Sequence, residues 1–472
     1  MDNVGLVVAA SMLLALLILV ARELRRRLGI FRWFFIPTSV IAGLLGLCLG
    51  PQVVGRLYEE GTLLSQGVFP PAVVETWRQM PGILINFVFA AMFLGKALPP
   101  RRSLWRSGGP QTLLGCAIAF GHYALGLFAV LVILRPLTGI TPLSGMLLEI
   151  SLSGGHGTAA GLTAVFTELG FPEGLDMALG LATIGLLSAV IFGTLFINIA
   201  LRSDAITIAR EEFTKDEERY ELSALQDNEN IEVKSASDTT SDPLTIHFAL
   251  LSLAMLIGEL LRRSLVLFEQ YTYGPFTGKI MDYVPLFPLA MIGGAILQII
   301  LVQTGRAQQV SRELINRIAG VCLDFIIVSA LATLSLSSIG ENWIAFTGLA
   351  LVGVLWTIFC FWVLAPRMLP DRWFERGIGD FGQGTGMVAS GLLLMRMADP
   401  HNKSGAFESF GSKQLLFEPL LGGGLITAIA LPLCAKLGAP FLMIFFSIAT
   451  VAVIAAGRIF FGPVRKNRSG IR

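Results

Sequence analysis

The chain has 472 residues, 54% hydrophobic and 14% charged, with a formal net charge of +2 and a mean hydropathy of +0.71. A soluble domain has about a quarter of its residues charged, so this composition excludes an ordinary soluble protein. So small a net charge gives no argument for a nucleic-acid partner.

Apolar blocks follow in chain order at about 4–21, 33–50, 82–98, 111–134, 176–200, 245–266, 284–302, 317–337, 343–364, 414–435 and 438–460. About 20 apolar residues cross the roughly 30 Å of bilayer hydrocarbon as a helix, and a helix satisfies its own backbone there. The blocks therefore predict an all-α polytopic membrane protein with about 11 transmembrane helices. Two further segments, 143–169 and 379–397, are apolar but interrupted by glycine, and are expected to be re-entrant or broken. Residues 203–243 hold twelve Asp/Glu against four Lys/Arg and read as a polar, solvated linker. It divides the chain into an N-terminal repeat, 1–202, and a C-terminal repeat, 244–472. The first block, Val4–Val20, is followed by Arg22, Arg25, Arg26, Arg27 and Arg32. That order is the reverse of a secretory signal and predicts a retained helix with its N-terminus outside. Cys48, Cys116, Cys322, Cys360 and Cys434 all lie in apolar blocks and read as small buried residues.

Basic residues set the orientation. With the N-terminus outside, inside loops and the tail hold 22 Lys/Arg, the linker adds five, and outside loops hold seven. The linker and C-terminus are thus expected on the cytoplasmic side. The seven include Arg262, Arg263 and Lys279.

The halves resemble each other. Ile36-Pro37-Thr38-Ser39-Val40-Ile41-Ala42-Gly43 matches Phe287-Pro288-Leu289-Ala290-Met291-Ile292-Gly293-Gly294. Ile85-Asn86-Phe87-Val88 matches Leu323-Asp324-Phe325-Ile326, and Gly155-His156-Gly157-Thr158 matches Gly382-Gln383-Gly384-Thr385. The offsets shrink steadily, from 251 to 238 to 227. With the predicted topology, the repeats are inverted and the two broken segments enter from opposite sides, an arrangement that transporters use.

Ser153-Gly154-Gly155-His156-Gly157-Thr158-Ala159-Ala160 leaves backbone accessible. Free amides there suit a carboxylate, and carbonyls with the Ser153 and Thr158 hydroxyls suit a small hard cation such as sodium. The alternative is a tight helix contact, which small residues also serve.

This motif resembles the pore-loop signature of the sodium/glutamate symporter family, and Phe417-Glu418-Pro419-Leu420-Leu421-Gly422-Gly423 is similar to a helix of that family carrying proline and glycine. The second loop departs from the family: where it has Thr-Pro-Thr and a following Asn, this chain has Gly384-Thr385-Gly386-Met387-Val388-Ala389-Ser390. The resemblance implies sodium-driven uptake of glutamate across the bacterial inner membrane. It also implies a homodimer whose scaffold domain stands beside a moving transport domain that carries both loops. Sodium would be the coupling ion, with no organic cofactor.

Candidate substrate-binding residues are Gly154, Gly155, His156, Gly157, Thr158, Gly382, Gln383, Gly384, Thr385 and Arg396. Candidate sodium ligands are Ser153, Thr158, Glu149, Asp324, Asp380 and Thr385. Ionisable groups inside apolar blocks are functional candidates by default. Each has a structural reading as well: Glu149 and Asp324 could bond across helices, Asp380 could cap a helix, and Glu418 before Pro419 could mark a kink. Arg396 could clamp a carboxylate or anchor an inside loop, and His122 reads as a local packing residue. An ion channel is the rival class, but two unlike loops in one chain argue for a carrier over a ring-shaped filter. An enzyme is not expected, since HExxH, GxSxG and paired metal-ligand clusters are absent from the sequence.

Overall fold

The computed structural model describes residues 3–29, 31, 36–58, 62, 65–96, 101–202, 242–272, 284–399 and 404–462. Most of the linker, Lys279 and the basic tail from 465 lie outside the described residues. The described residues form helices and connecting turns without a strand. Among the described residues, eight helices are long and apolar enough to cross a membrane, and two shorter ones are apolar.

The first half runs α1 (Asn3–Arg27), α2 (Thr38–Leu49), α3 (Pro71–Ala90), α4 (Arg101–Ala129), a broken segment with α5 (Gly155–Gly161) and α6 (Thr163–Glu168), then α7 (Glu173–Arg202). The second half runs α8 (Pro243–Tyr271), α9 (Leu286–Gln303), α10 (Arg312–Ala332), α11 (Trp343–Phe359), α12 (Trp373–Ala398), α13 (Ala406–Phe417), α14 (Leu425–Leu437) and α15 (Ala439–Phe461).

Three predicted spans come out differently. In the block at 33–50 the described helix covers Thr38–Leu49, between Pro37 and Gly50, and residues 33–35 lie outside the described residues. The block at 82–98 ends its helix at Ala90, because Arg312 Nη1 takes the carbonyls of Ala91 and Leu94 and Gly95 turns with φ +70°. The block at 414–435 is two helices, α13 and α14, parted by a turn. Arg262 and Arg263, which the predicted topology places outside, both bond Glu259, which cancels part of their charge.

α4 and α11 each widen into a π-turn, at Val130–Leu134 and Cys360–Leu364. The cause is the same in both. Pro136 and Pro366 follow two residues later and cannot donate to the carbonyl four back, so the ladder slips. The turns are 230 residues apart, from 130 to 360, between the sequence offsets of 238 and 227.

The helices sort into two bundles that cut across the halves. α1, α2 and α3 pack with α8, α9 and α10. α4, the first broken segment and α7 pack with α11 to α15. Small residues let the first bundle close. A methyl on Gly43 of α2 would sit 2.6 Å from Leu331 Cβ of α10, and one on Gly294 of α9 would sit 2.3 Å from the Ala90 carbonyl of α3. The matched glycines thus pack reciprocally, each half's helix on the other half's. Trp77 fixes α3 to α1 by donating to the Ala10 carbonyl at 2.9 Å. Between the bundles, α5 touches both α3 and α10, through Ile85 and Leu323 against Gly157.

Gly293 is the tightest point of the α8–α9 crossing, where a methyl would lie 2.1 Å from the Ala254 carbonyl oxygen. Neither backbone can yield easily, so Gly293→Ala is expected to cost about 1–3 kcal/mol. A thermal melt of the purified variant in detergent reads this; an unchanged melt refutes the close crossing.

Candidate functional site

The first broken segment opens with a 3-10 turn at Pro142–Met146 and a π-turn at Glu149–Ser153. It breaks at Gly154–Gly155, where Gly155 takes φ +72°. A side chain on Gly154 would collide with the Ile150 carbonyl at 2.5 Å, so the sharp change of course needs glycine at both positions.

The second segment is a hairpin within α12. Gly386 (φ −152°, ψ 31°) and Met387 (φ 72°, ψ 173°) leave the helical region. The limbs on either side fold together, with Gly382 against Gly391 and Gly379 against Met395. A positive φ at methionine is strained backbone, of the kind that concentrates at functional sites.

The two breaks meet. A methyl on Gly155 would lie 3.4 Å from Met387 Cβ. They are 232 residues apart, from 155 to 387. The glycine motifs matched in sequence are offset by only 227, so the motif follows the break in the first half and precedes it in the second.

A third break joins them. After α13 the chain turns at Glu418-Pro419, and Gly422 (φ +66°) and Gly423 (φ +108°) carry it into α14. The Gly422 amide donates to Glu149 Oε1 at 3.2 Å. A methyl on Gly423 would lie 2.5 Å from Thr158 Oγ1.

Two buried carboxylates stand just ahead of the two breaks, 231 residues apart at Glu149 and Asp380. Glu149 Oε2 accepts from Ser153 Oγ at 2.7 Å and lies 3.2 Å from His122 Nδ1. His122 Nε2 in turn lies 3.0 Å from Thr357 Oγ1 on α11. Asp380 Oδ1 accepts from Lys413 Nζ at 2.5 Å, and Oδ2 from Gln111 Nε2 at 3.4 Å. Lys413 also donates to Gln383 Oε1 at 2.6 Å.

The other candidates divide. His156 is buried, with Nε2 2.9 Å from Thr183 Oγ1 and Nδ1 without a partner. Thr158 donates to the Gly154 carbonyl at 2.9 Å, and Thr385 to the Phe381 carbonyl at 2.8 Å. Gly384 packs on Ile118 and Thr357. Asp324 is exposed on α10 and bonds Ser39, while Asn86 Nδ2 donates back to Gly82 and Ile83 in its own helix. Arg396 is exposed nine residues past Met387, about 13 Å along the helix at 1.5 Å per residue, away from the break.

Sequence reasoning did not single out Lys413, which is 1% exposed inside α13. It also gave His122 only a local role. The available signal was position: Lys413-Gln414 stands at the edge of an apolar block, five residues before Glu418.

Broken helices from two related halves, meeting at buried charged groups inside a polytopic helical bundle, define a membrane transport protein of the carrier type. The chain belongs to the sodium/glutamate symporter family, whose family model matches residues 83–371, more than half of its length. A search among curated proteins gave no match. The matched region contains the first broken segment and stops just before α12.

Proposed function

We propose that this protein is a sodium-coupled symporter of glutamate or a similar small anionic amino acid or carboxylate, working as a homodimer in the bacterial inner membrane. The N-terminus lies outside, and the linker and C-terminus lie in the cytoplasm. The observation that carries the reading is the meeting of two backbone breaks beside the buried Glu149.

Sodium is assigned to the first segment, where Glu149 supplies charge and the Ser153 and Thr158 hydroxyls with backbone carbonyls of the segment supply oxygen. These are hard ligands suited to a hard cation. The substrate is assigned to the same junction, to backbone from Gly154 to Thr158 and to the Gly382–Thr385 run with Gln383. The inverted repeats and the two bundles suit alternating access, with the bundle that carries both segments sliding along α3 and α10. A different organic or inorganic anion is the second reading, favoured by the departure around Gly386-Met387-Val388 and by a family match that ends at residue 371.

Proteoliposomes test this. A sodium gradient is expected to drive uptake of labelled glutamate, and external unlabelled glutamate to draw it out by counterflow. Equal uptake with and without the gradient refutes coupling, and no counterflow refutes a carrier. Uptake of another anion alone moves the assignment to the second reading. Glu149→Gln is expected to raise the sodium concentration for half-maximal uptake about tenfold or more, the equivalent of about 1.4 kcal/mol.

A further inference from the structure

The second broken segment holds a group that its counterpart lacks. Lys413 Nζ lies 2.5 Å from Asp380 Oδ1 and 2.6 Å from Gln383 Oε1. The ring centroids of Phe417 and Phe410 are 4.7 Å and 5.1 Å away. A carboxylate oxygen, an amide oxygen and two aromatic faces make a cage for a monovalent cation. The cage is built to hold its shape. Gln383 and Gln414 exchange two amide hydrogen bonds, at 2.9 Å and 3.1 Å, which aim the Gln383 oxygen at the ammonium. Gly115 on α4 leaves the room, since a methyl there would lie 2.8 Å from Lys413 Cε and 3.1 Å from Nζ.

At the equivalent place in the first half, Glu149 meets Ser153, the Gly422 amide and His122, and no lysine or arginine among the described residues bonds to it. The two carboxylates therefore stand in register, with a fixed ammonium on only one. We propose that Lys413 is a tethered cation, filling in the second repeat the place that sodium takes in the first. Sodium therefore binds at the Glu149 junction and not at Asp380. This rests on the sodium-coupled reading above.

Sodium binding to the purified protein in detergent tests it, counted with radioactive sodium at equilibrium. Lys413→Ala is expected to bind one more sodium ion per chain than wild type, and Asp380→Asn/Lys413→Ala to lose that gain. Methylammonium is expected to raise the melting temperature of Lys413→Ala and leave that of wild type unchanged. A folded Lys413→Ala with the wild-type sodium count overturns the proposal. Should that variant not fold, amine-reactive labelling of wild type read by mass spectrometry decides. Lys413 is expected to stay unlabelled with and without saturating sodium, and labelling that appears with sodium shows displacement and overturns the proposal. Failure of the sodium-coupled reading looks different, because wild type then binds no sodium and Glu149→Gln changes nothing, whatever Lys413→Ala gains.

Discussion

Asp380→Ala is expected to destabilise the protein by about 3–5 kcal/mol, the usual cost of leaving one partner of a buried ion pair uncompensated. Both groups are about 1% exposed, so water cannot stand in for the lost carboxylate. Lys413 would keep only the Gln383 oxygen and the two rings. The companion variant Asp380→Ala/Lys413→Met removes the orphaned charge and is expected to recover part of the loss, because an apolar replacement of the whole pair is often close to neutral. Thermal melts of the single and double variants in detergent provide the measurement. Equal melting temperatures for wild type and Asp380→Ala refute a buried pair.

Gly185→Ala is expected to be the most damaging single methyl for transport. On α7 it faces the junction, where its methyl would lie 2.1 Å from the Thr385 carbonyl oxygen and 2.6 Å from Leu152 Cδ2. The first of these is backbone at the tip of the second segment, so the tip itself must shift. Overpacking of this kind costs about 1–3 kcal/mol, which corresponds to roughly five- to 150-fold if it falls on the working geometry. Uptake in proteoliposomes is expected to drop by about tenfold or more, while the yield of folded protein changes little. Ser188→Ala, on the same helix and only partly buried, is the control and is expected to behave as wild type. Undiminished uptake by Gly185→Ala shows that Thr385 does not need its present position.

Much of this was legible in the sequence, for identifiable reasons. Membrane helices announce themselves by length and composition, and glycine runs such as Gly154-Gly155 announce a break because few other residues accept the backbone there. The carboxylates Glu149 and Asp380 were visible because a charge inside an apolar block is rare. Their partners were not. Lys413 lies 33 residues from Asp380 and His122 lies 27 from Glu149, and local reading gives a lone basic residue beside an apolar block to a loop. The turn at Gly422-Gly423 was hidden inside a block that hydropathy alone reads as a single span. The two bundles were hidden for a different reason. The repeat shows which segments are alike, while which segments touch depends on pairings such as Gly43 with Leu331.

The reciprocal packing of α2 on α10 and α9 on α3 bears on how the molecule is made. α2 leaves the ribosome long before Leu331 has been synthesised, so its small-residue face has no native partner while the N-terminal half waits in the bilayer. Neither half can complete its bundle alone. Biogenesis is therefore expected to turn on the late arrival of residues 286–332, and the two halves expressed as separate polypeptides are expected to reach the native fold only when made together in one membrane.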